Sequence, residues 1–329
     1  MTRVFVTGGS GVVGGALVKA LVARDDEVVA LARSQDAAST LRSAGVSEVV
    51  LGNLMDEALV TSALGGSEVL YHVAGVNAMC LADPGPMLRA NVDGAVGAVR
   101  AAAAAGVRRV VLTSSAATLG EQPGTIGRED TVHRGWYLSN YERSKTLGER
   151  AALAAGREHG IEVVSVNPSS VQGPGRAGGT GRFLLAFLDG RLKVFVRTWI
   201  SLVDIDDCAQ GHILAAEHGV AGERYLLNSF TLPIDEALAL AARVAGVNRK
   251  PRMVPRALAI GGGWVVEQGA RLARRKPPVC REMVRTLLHG HRYDGSRAVR
   301  DLGVQYTPPQ DTIARTVEWA RGAGLLRNV

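Results

Sequence analysis

The sequence predicts an α/β protein, a doubly wound parallel sheet with a smaller, mostly helical C-terminal substrate lobe. Three observations carry that prediction. Short apolar strands alternate with segments of helical periodicity as far as Val166. A glycine-rich turn separates the first strand from the first helix. After Pro168 the alternation gives way to Gly/Pro-rich loops and then to mostly helical sequence. Continuous apolar runs mark strands buried on both faces, as in a parallel sheet covered by helices.

The elements follow in order. Val4–Thr7 reads as a strand and Gly14–Ala23 as a helix with apolar residues at helical spacing. Glu27–Ala32 is a strand, Ala37–Ala44 a weaker helix and Val49–Leu51 a third strand. Glu57–Leu64 is a helix, Val69–Val73 a strand, and Met87–Ala105 a long helix stopped by Gly106. Val110–Thr113 (strand), Ser139–Gly156 (helix) and Ile161–Val166 (strand) complete the alternation. Phe183–Leu188 reads as a helix. Ser201–Ile205, the helix Asp207–His218 and Tyr225–Asn228 read as a return to the main sheet. Residues 229–329 are mostly helical, with proline breaks at 251–255, 277–278 and 308–309. The division is therefore a cofactor domain of residues 1–170 plus about 201–228, and a lobe of about 171–200 plus 229–329.

Composition sets outer bounds. At 329 residues, 47% hydrophobic and 21% charged, the chain can bury a large core. Cys80, Cys208 and Cys280 are too few and scattered for a disulfide framework or a metal knuckle, and read as reduced thiols in a cytoplasmic protein. No signal peptide is visible, no run reaches membrane-spanning length, and no cluster of metal-ligand spacing is evident. The net charge of +7 admits nucleic acid, but reads better as a basic surface plus a pocket for an anionic cofactor. Ala257–Val266 is apolar and lies between basic residues. It reads as a lobe helix, with a membrane surface as the alternative.

Thr7–Gly14 follows the first strand and opens the first helix. Gly8, Gly11 and Gly14 fit Gly-x-x-Gly-x-x-Gly, and Ser10, Val12 and Val13 fill the pattern. Glycine lets a diphosphate approach the backbone, and the helix N-terminus offers it N–H groups. This is the loop of a Rossmann-type dinucleotide site. The second strand ends in Ala32-Arg33-Ser34, with no acid to bind a free ribose 2′-hydroxyl. Arg33 suits a 2′-phosphate instead, so NADP(H) is the preferred cofactor. Asp36, slightly further on, keeps NAD(H) open.

Tyr141-Glu142-Arg143-Ser144-Lys145 places Tyr141 and Lys145 one turn apart on a helix. A nearby ammonium would lower the tyrosine pKa and make Tyr141 a proton donor and acceptor. Lys145 can also hold ribose hydroxyls. Val110–Thr113 ends in Ser114-Ser115 before that helix, at the cofactor crevice. Ser115 and Tyr141 can both reach a substrate carbonyl.

On these residues the chain resembles an extended short-chain dehydrogenase/reductase. The resemblance covers essentially its whole length. It rests on Thr7–Gly14, His72–Gly75, Asn91–Gly94, Thr113–Ser115, Tyr141–Lys145, Asn167–Ser169, Asp206–His212 and Arg300–Gly303. It is similar to the dihydroflavonol-4-reductase-like and hopanoid-associated sugar epimerase subgroups. The resemblance implies that Ser115, not Ser114, is the catalytic hydroxyl, with Tyr141 and Lys145. It also implies that Val73, Ala74 and Gly75 lie along the diphosphate and ribose, with Asn91 and Thr113 in the cofactor site. Asn53 and Leu54 would contact adenine, although Asp is commoner than Asn at that position. Pro168, Ser170 and Val171 would flank the nicotinamide. A homodimer through the two long helices is implied as well.

The implied reaction is reversible hydride transfer without a metal. A reductase or alcohol dehydrogenase is favoured over a nucleotide-sugar epimerase or dehydratase, because Ile200 stands where the latter carry a diphosphate-binding arginine. Arg197 or Arg182 could replace it. A cofactor-sensing protein without turnover is the reading from another class, and such proteins usually lose the tyrosine or lysine. Asn77, Met79, Trp136, Leu138, Gln172, Phe183 and Trp199 are the candidate substrate contacts. They suit a small apolar or aromatic ketone.

Overall fold

The computed structural model describes residues 1–327. Its strands are β1 (Arg3–Thr7), β2 (Glu27–Ala32), β3 (Glu48–Leu51), β4 (Val69–His72), β5 (Arg109–Thr113) and β6 (Glu162–Pro168), then β7 (Ser170–Gln172), β8 (Val194–Val196), β9 (Trp199–Asp204), β10 (Arg224–Leu227), β11 (Phe230–Pro233) and β12 (Arg252–Val254). The helices are α1 (Val12–Val22), α2 (Gln35–Ser43), α3 (Glu57–Ala63), α4 (Gly85–Ala104), α5 (Asn140–His159), α6 (Thr180–Leu188), α7 (Ile205–His218), α8 (Ile234–Val244), α9 (Arg256–Leu272), α10 (Arg281–His289), α11 (Ser296–Leu302) and α12 (Pro309–Gly322).

Seven strands form one parallel sheet in the order β3-β2-β1-β4-β5-β6-β10. The period of two sends successive side chains to opposite faces. Val4 and Val6 of β1 join one core with Val28 and Ala30 of β2, closed by Leu17, Val18 and Ile213 of α1 and α7. Phe5, Val29 and Leu31 point the other way, into a core closed by Ala98, Val99 and Ala102 of α4 and Ala152 of α5. Helices α4 and α5 pack closely because Gly148 faces Asn91. A Cβ at Gly148 would lie 2.1 Å from the Asn91 carbonyl oxygen. Among the described residues no helix is long and apolar enough to cross a membrane.

The strands β1–β6 and β10 and the helices between them match the sequence expectations to within a few residues at their ends. One expectation is overturned. The 201–205 strand was expected in the main sheet, but β9 pairs with β7 and β11 in a separate three-stranded sheet. An apolar run states that a strand is buried, not which sheet buries it. A small third core, with Leu185, Phe187 and Leu188 of α6 against Leu238, Ala241, Ile313 and Val317, holds the lobe together.

The expectation of three reduced thiols is also overturned. Cys208 is free and buried, but Cys80 and Cys280 form a disulfide, with Cα atoms 5.7 Å apart across 200 residues of chain. Spacing alone could not pair them, because the lobe has to fold back over the loop after β4 first. The bridge closes a very long loop, so its loss should be costly by loop-closure entropy. Cys280→Ser, or reduction of the wild type, is expected to lower the urea-unfolding free energy by about 2–4 kcal/mol. Equal stability with and without reductant would count against a formed bridge.

Candidate active site

The turn after β1 has the shape expected of a phosphate cradle. Gly8 has φ +73°, and a Cβ there would lie 2.6 Å from the Ala74 amide nitrogen. A Cβ at Gly14 would lie 2.2 Å from the Gly8 carbonyl oxygen, and the Gly11 amide donates to that same oxygen at 3.0 Å. Only glycine permits this tight loop. Gly11 caps α1 with no side-chain bond, so the first-turn amides around Val12 and Val13 are open to an anion, beside exposed Ser10. The Thr7 hydroxyl bonds the His72 imidazole at 3.0 Å and accepts from the Ala74 amide at 3.3 Å, tying β1 to the Val73–Gly75 segment.

The ribose side is open. Arg33 is exposed at the end of β2. Ser34 caps α2, its hydroxyl accepting from the Ala37 amide at 3.3 Å. Asn53 is exposed and its side chain accepts from the Met55 amide, while Leu54 packs towards Gly94 on α4. Asn91 is engaged by the protein itself. Its amide group is occupied by both backbone groups of Val76 and by the Ser144 hydroxyl, at 2.7–2.9 Å. It holds the cleft loop against α4 and α5 from behind.

The three catalytic candidates converge at the end of β5. Ser115 follows the strand and caps a 3₁₀ turn, Ala116–Leu119, with its hydroxyl accepting from the Ala117 amide at 3.3 Å. That hydroxyl also hydrogen-bonds Tyr141. The Lys145 ammonium donates to the Thr113 carbonyl at 2.7 Å, and a Cβ on Gly75 would lie 3.5 Å from it. The neighbouring Ser114 is buried, and its amide donates to Val166 across the sheet.

The expected electrostatics are corrected here. Tyr141 does not owe a lowered pKa to Lys145. Burial raises its pKa, opposed by the Ser115 hydrogen bond and by the charge of Arg176. Burial also lowers Lys145 to about 8, against the pull of Glu149. One turn of helix brings the two side chains to one face but leaves the ammonium bonded to β5. Arg176, from the loop after β7, is the cation that acts on the phenol. Sequence spacing offered no sign of it.

A capped helix holds this geometry. Ser139 caps α5, its hydroxyl accepting from the Glu142 amide at 3.1 Å, and the Glu142 carboxylate accepts from the Leu138 amide at 2.9 Å. The same carboxylate pairs with Arg134, and both side chains are buried. Tyr141 therefore sits in a first turn whose position is set on two sides.

The trio opens into a cleft of about 790 Å³. Val13, Val73, Gly75, Thr113, Pro168, Ser170 and Val171 from the cofactor set line it. So do Asn77, Met79, Phe183 and Trp199 from the substrate set. Trp136 and Leu138 face a second cavity of about 850 Å³, which shares Trp199 with the cleft. Gln172 is buried behind the cleft wall and donates at 2.7 Å to the hydroxyl of Thr180, which lines the cleft. Sequence reasoning also missed Glu121, His289 and His291, although their ligand-type atoms lie within 4.8 Å of one another. Burial raises the Glu121 pKa, but bonds with His289 and His291 outweigh it and bring it to about 2. His291 lines the cleft. A separation of 170 residues hides such a group from any reading of spacing.

Two buried imidazoles make the site acid-sensitive. His212 bonds the Cys208 carbonyl through Nδ1 at 2.7 Å, so Nδ1 carries the proton and Nε2 accepts from the Thr113 hydroxyl at 2.8 Å. Burial lowers His212 to about 4 and His72 to about 3. Below the unfolded value near 6.5 the unfolded chain binds protons that the folded chain refuses, so stability falls as pH drops from about 6.5 towards 4. Each such imidazole contributes up to about 1.4 kcal/mol per pH unit. His212→Gln is expected to flatten the slope of unfolding free energy against pH by about one proton. An unchanged slope would show that His212 is not buried in its neutral form.

Comparison with known proteins identifies the family and the fold. The NAD dependent epimerase/dehydratase family matches residues 4–227. Sterol demethylase protein B of Methylococcus capsulatus is 33% identical over 98% of this chain and 99% of its own length. A 2-alkyl-3-oxoalkanoate reductase of Shewanella oneidensis is 27% identical over 92% of this chain and 82% of its own. The crystal structure of gox2253 superposes with a TM-score of 0.86, at 29% identity, over 99% of this chain and all of that one. The chain belongs to the NAD dependent epimerase/dehydratase family, the extended branch of the short-chain dehydrogenases/reductases.

Proposed function

We propose that this protein is an NADP(H)-dependent carbonyl reductase or alcohol dehydrogenase for a small apolar or aromatic ketone/alcohol pair. The convergence of Ser115, Tyr141 and Lys145 on a cleft walled by Met79, Phe183, Ile200 and Trp199 carries the reading. Relatives named as reductases support it. The cradle fits a dinucleotide, since Gly11 begins α1 without a side-chain cap and the first-turn amides are open to a diphosphate beside exposed Ser10. Gly8, Ser10, Gly11, Val12 and Val13 would hold the diphosphate and Arg33 the 2′-phosphate. Lys145 would hold the ribose.

When bound, the nicotinamide supplies or accepts the hydride. In the reducing direction the Ser115 hydroxyl donates to the ketone oxygen and orients it. Tyr141 gives its phenolic proton to that oxygen as the carbon gains the hydride, so the alcohol leaves with both hydrogens accounted for. The charge of Arg176 steadies the resulting phenolate, and solvent returns the proton.

A nucleotide-sugar epimerase is the second reading. Arg176 and Arg182 both line the cleft and offer charge to a diphosphate. Net consumption of NADPH with a ketone separates the two, because an epimerase regenerates its cofactor.

Tyr141→Phe is expected to lower kcat by about 10²–10⁴-fold while leaving the dissociation constant of NADPH unchanged. A variant that binds and turns over normally would remove Tyr141 from the chemistry. Arg33→Ala is expected to weaken NADPH by roughly 10–100-fold and leave NADH unaffected, as fits the loss of a charge-assisted bond. Equal weakening of both, or tighter wild-type binding of NADH, would refute the assignment of Arg33.

A further inference from the structure

Helix α9 is placed unlike the other long helices. Of its seventeen residues only Gly263 and Glu267 are buried, one turn apart on one side. That seam rests on α10, where a Cβ at Gly263 would lie 2.7 Å from a methyl of Val284. The Glu267 carboxylate accepts from the Arg281 amide at 2.8 Å and pairs with Arg271 at 2.6 Å. At 100° per residue, Leu258, Val265 and Leu272 fall at seven-residue intervals on the side away from the seam. They are 66%, 61% and 89% exposed. Gly261, Gly262 and Gly269 share that face, and no charged residue does.

The charges stand at the two ends of the helix. Arg249, Lys250, Arg252 and Arg256 precede the apolar face, and Arg271, Arg274, Arg275 and Lys276 follow it. The only acid between residues 249 and 276 is Glu267, which is buried and paired. Removing these eight basic residues and one acid from the 38 and 31 of the chain leaves thirty of each. The whole net charge of +7 is thus the excess of this one segment. An uncharged apolar stripe flanked by two basic clusters suits a helix lying in the plane of an anionic bilayer, its apolar side chains dipping between headgroups that the clusters attract.

The other edge of α9 leads inward. Ile260 and Trp264 line the 850 Å³ cavity, together with Trp136, Val284 and Leu288. That cavity shares Trp199 with the catalytic cleft. The two cavities therefore border the same tryptophan, and the outer one mixes these apolar side chains with Arg256, Arg281, Arg285 and Arg292.

We propose that α9 is an interfacial docking helix for an anionic lipid surface, and that the cavity behind it takes a lipid-dissolved ketone or alcohol to Tyr141. The docking rests on the helix and its charges. The cargo rests also on the reductase reading above.

The test is flotation of the full chain with vesicles of phosphatidylcholine alone or mixed with phosphatidylglycerol. Binding to the mixed vesicles is expected to be tighter by roughly tenfold or more. The double variant Val265→Glu/Leu272→Glu and the double variant Arg274→Glu/Arg275→Glu should each lose that binding. These positions are exposed and outside both cavities, so NADPH binding should stay as in the wild type. Equal, weak binding to both vesicle types would overturn the proposal. So would a wild-type dimer in sedimentation velocity that Val265→Glu/Leu272→Glu dissolves while vesicles go unbound, since a second copy would then own the face. Slower turnover of a vesicle-dissolved ketone by the double variants, with unchanged turnover of a water-soluble one, would support the cargo. Vesicle binding without turnover of any ketone would support docking and overturn the reductase reading alone.

Discussion

The register of the active site rests on one buried carboxylate. Glu149 lies one turn beyond Lys145 on α5 and meets four donors. One oxygen accepts from Asn167 at 2.5 Å, Thr118 at 3.0 Å and Ser165 at 3.2 Å, and the other from Arg224 at 3.3 Å. Asn167 also reaches the Ser115 carbonyl at 3.2 Å. The end of β6, the 3₁₀ turn that carries Ser115, the edge strand β10 and helix α5 are thereby joined at one point. In a low-dielectric interior such a hub is strong only while every member is satisfied. A rotation of α5 that moved Tyr141 from Ser115 would strand several of these donors at once. The same charge raises the Lys145 pKa against burial, so a structural group also tunes a chemical one.

A second constraint comes from the lobe. Glu282 on α10 accepts from the Cys80 amide at 2.7 Å with one oxygen and from the Asn140 amide at 3.0 Å with the other. Arg285, one turn on, donates to the Leu138 carbonyl at 2.8 Å. With the Cys80–Cys280 bridge, α10 thus holds both the cleft loop and the first turn of α5. Seen this way, the lobe does more than cover the cleft, because the position of Tyr141 depends on it.

How much of this was legible follows from range. Local period and turn chemistry revealed every strand of the main sheet, the glycine loop at Gly8–Gly14 and the Tyr141–Lys145 spacing, because each is written within a few residues. Contacts that require the finished fold stayed hidden. Cys80 and Cys280, Glu121 with His289 and His291, and Arg176 beside Tyr141 belong to that class. Strand β9 shows the limit in between: its apolar run marked a strand, but its partners β7 and β11 are too short to announce themselves. Asn91 shows another. The motif named it, but only the fold shows its bonds to Val76 and Ser144, which tie the loop after β4 to α5.

Composition has the same limit. A net charge is a sum, and it carries no address. Spread over the surface, +7 would suit long-range attraction of an anionic cofactor. Gathered within residues 249–276, at the ends of a helix with an uncharged outer face, the same excess acts only within about a Debye length, ~8–10 Å, of that segment. In the proposed reading the cradle at Gly8–Gly14 draws instead on backbone amides and on exposed Arg33. The two proposals would thus have one chain meet two anions by separate means, oriented dipoles at the cradle and a local excess of side-chain charge at the lobe.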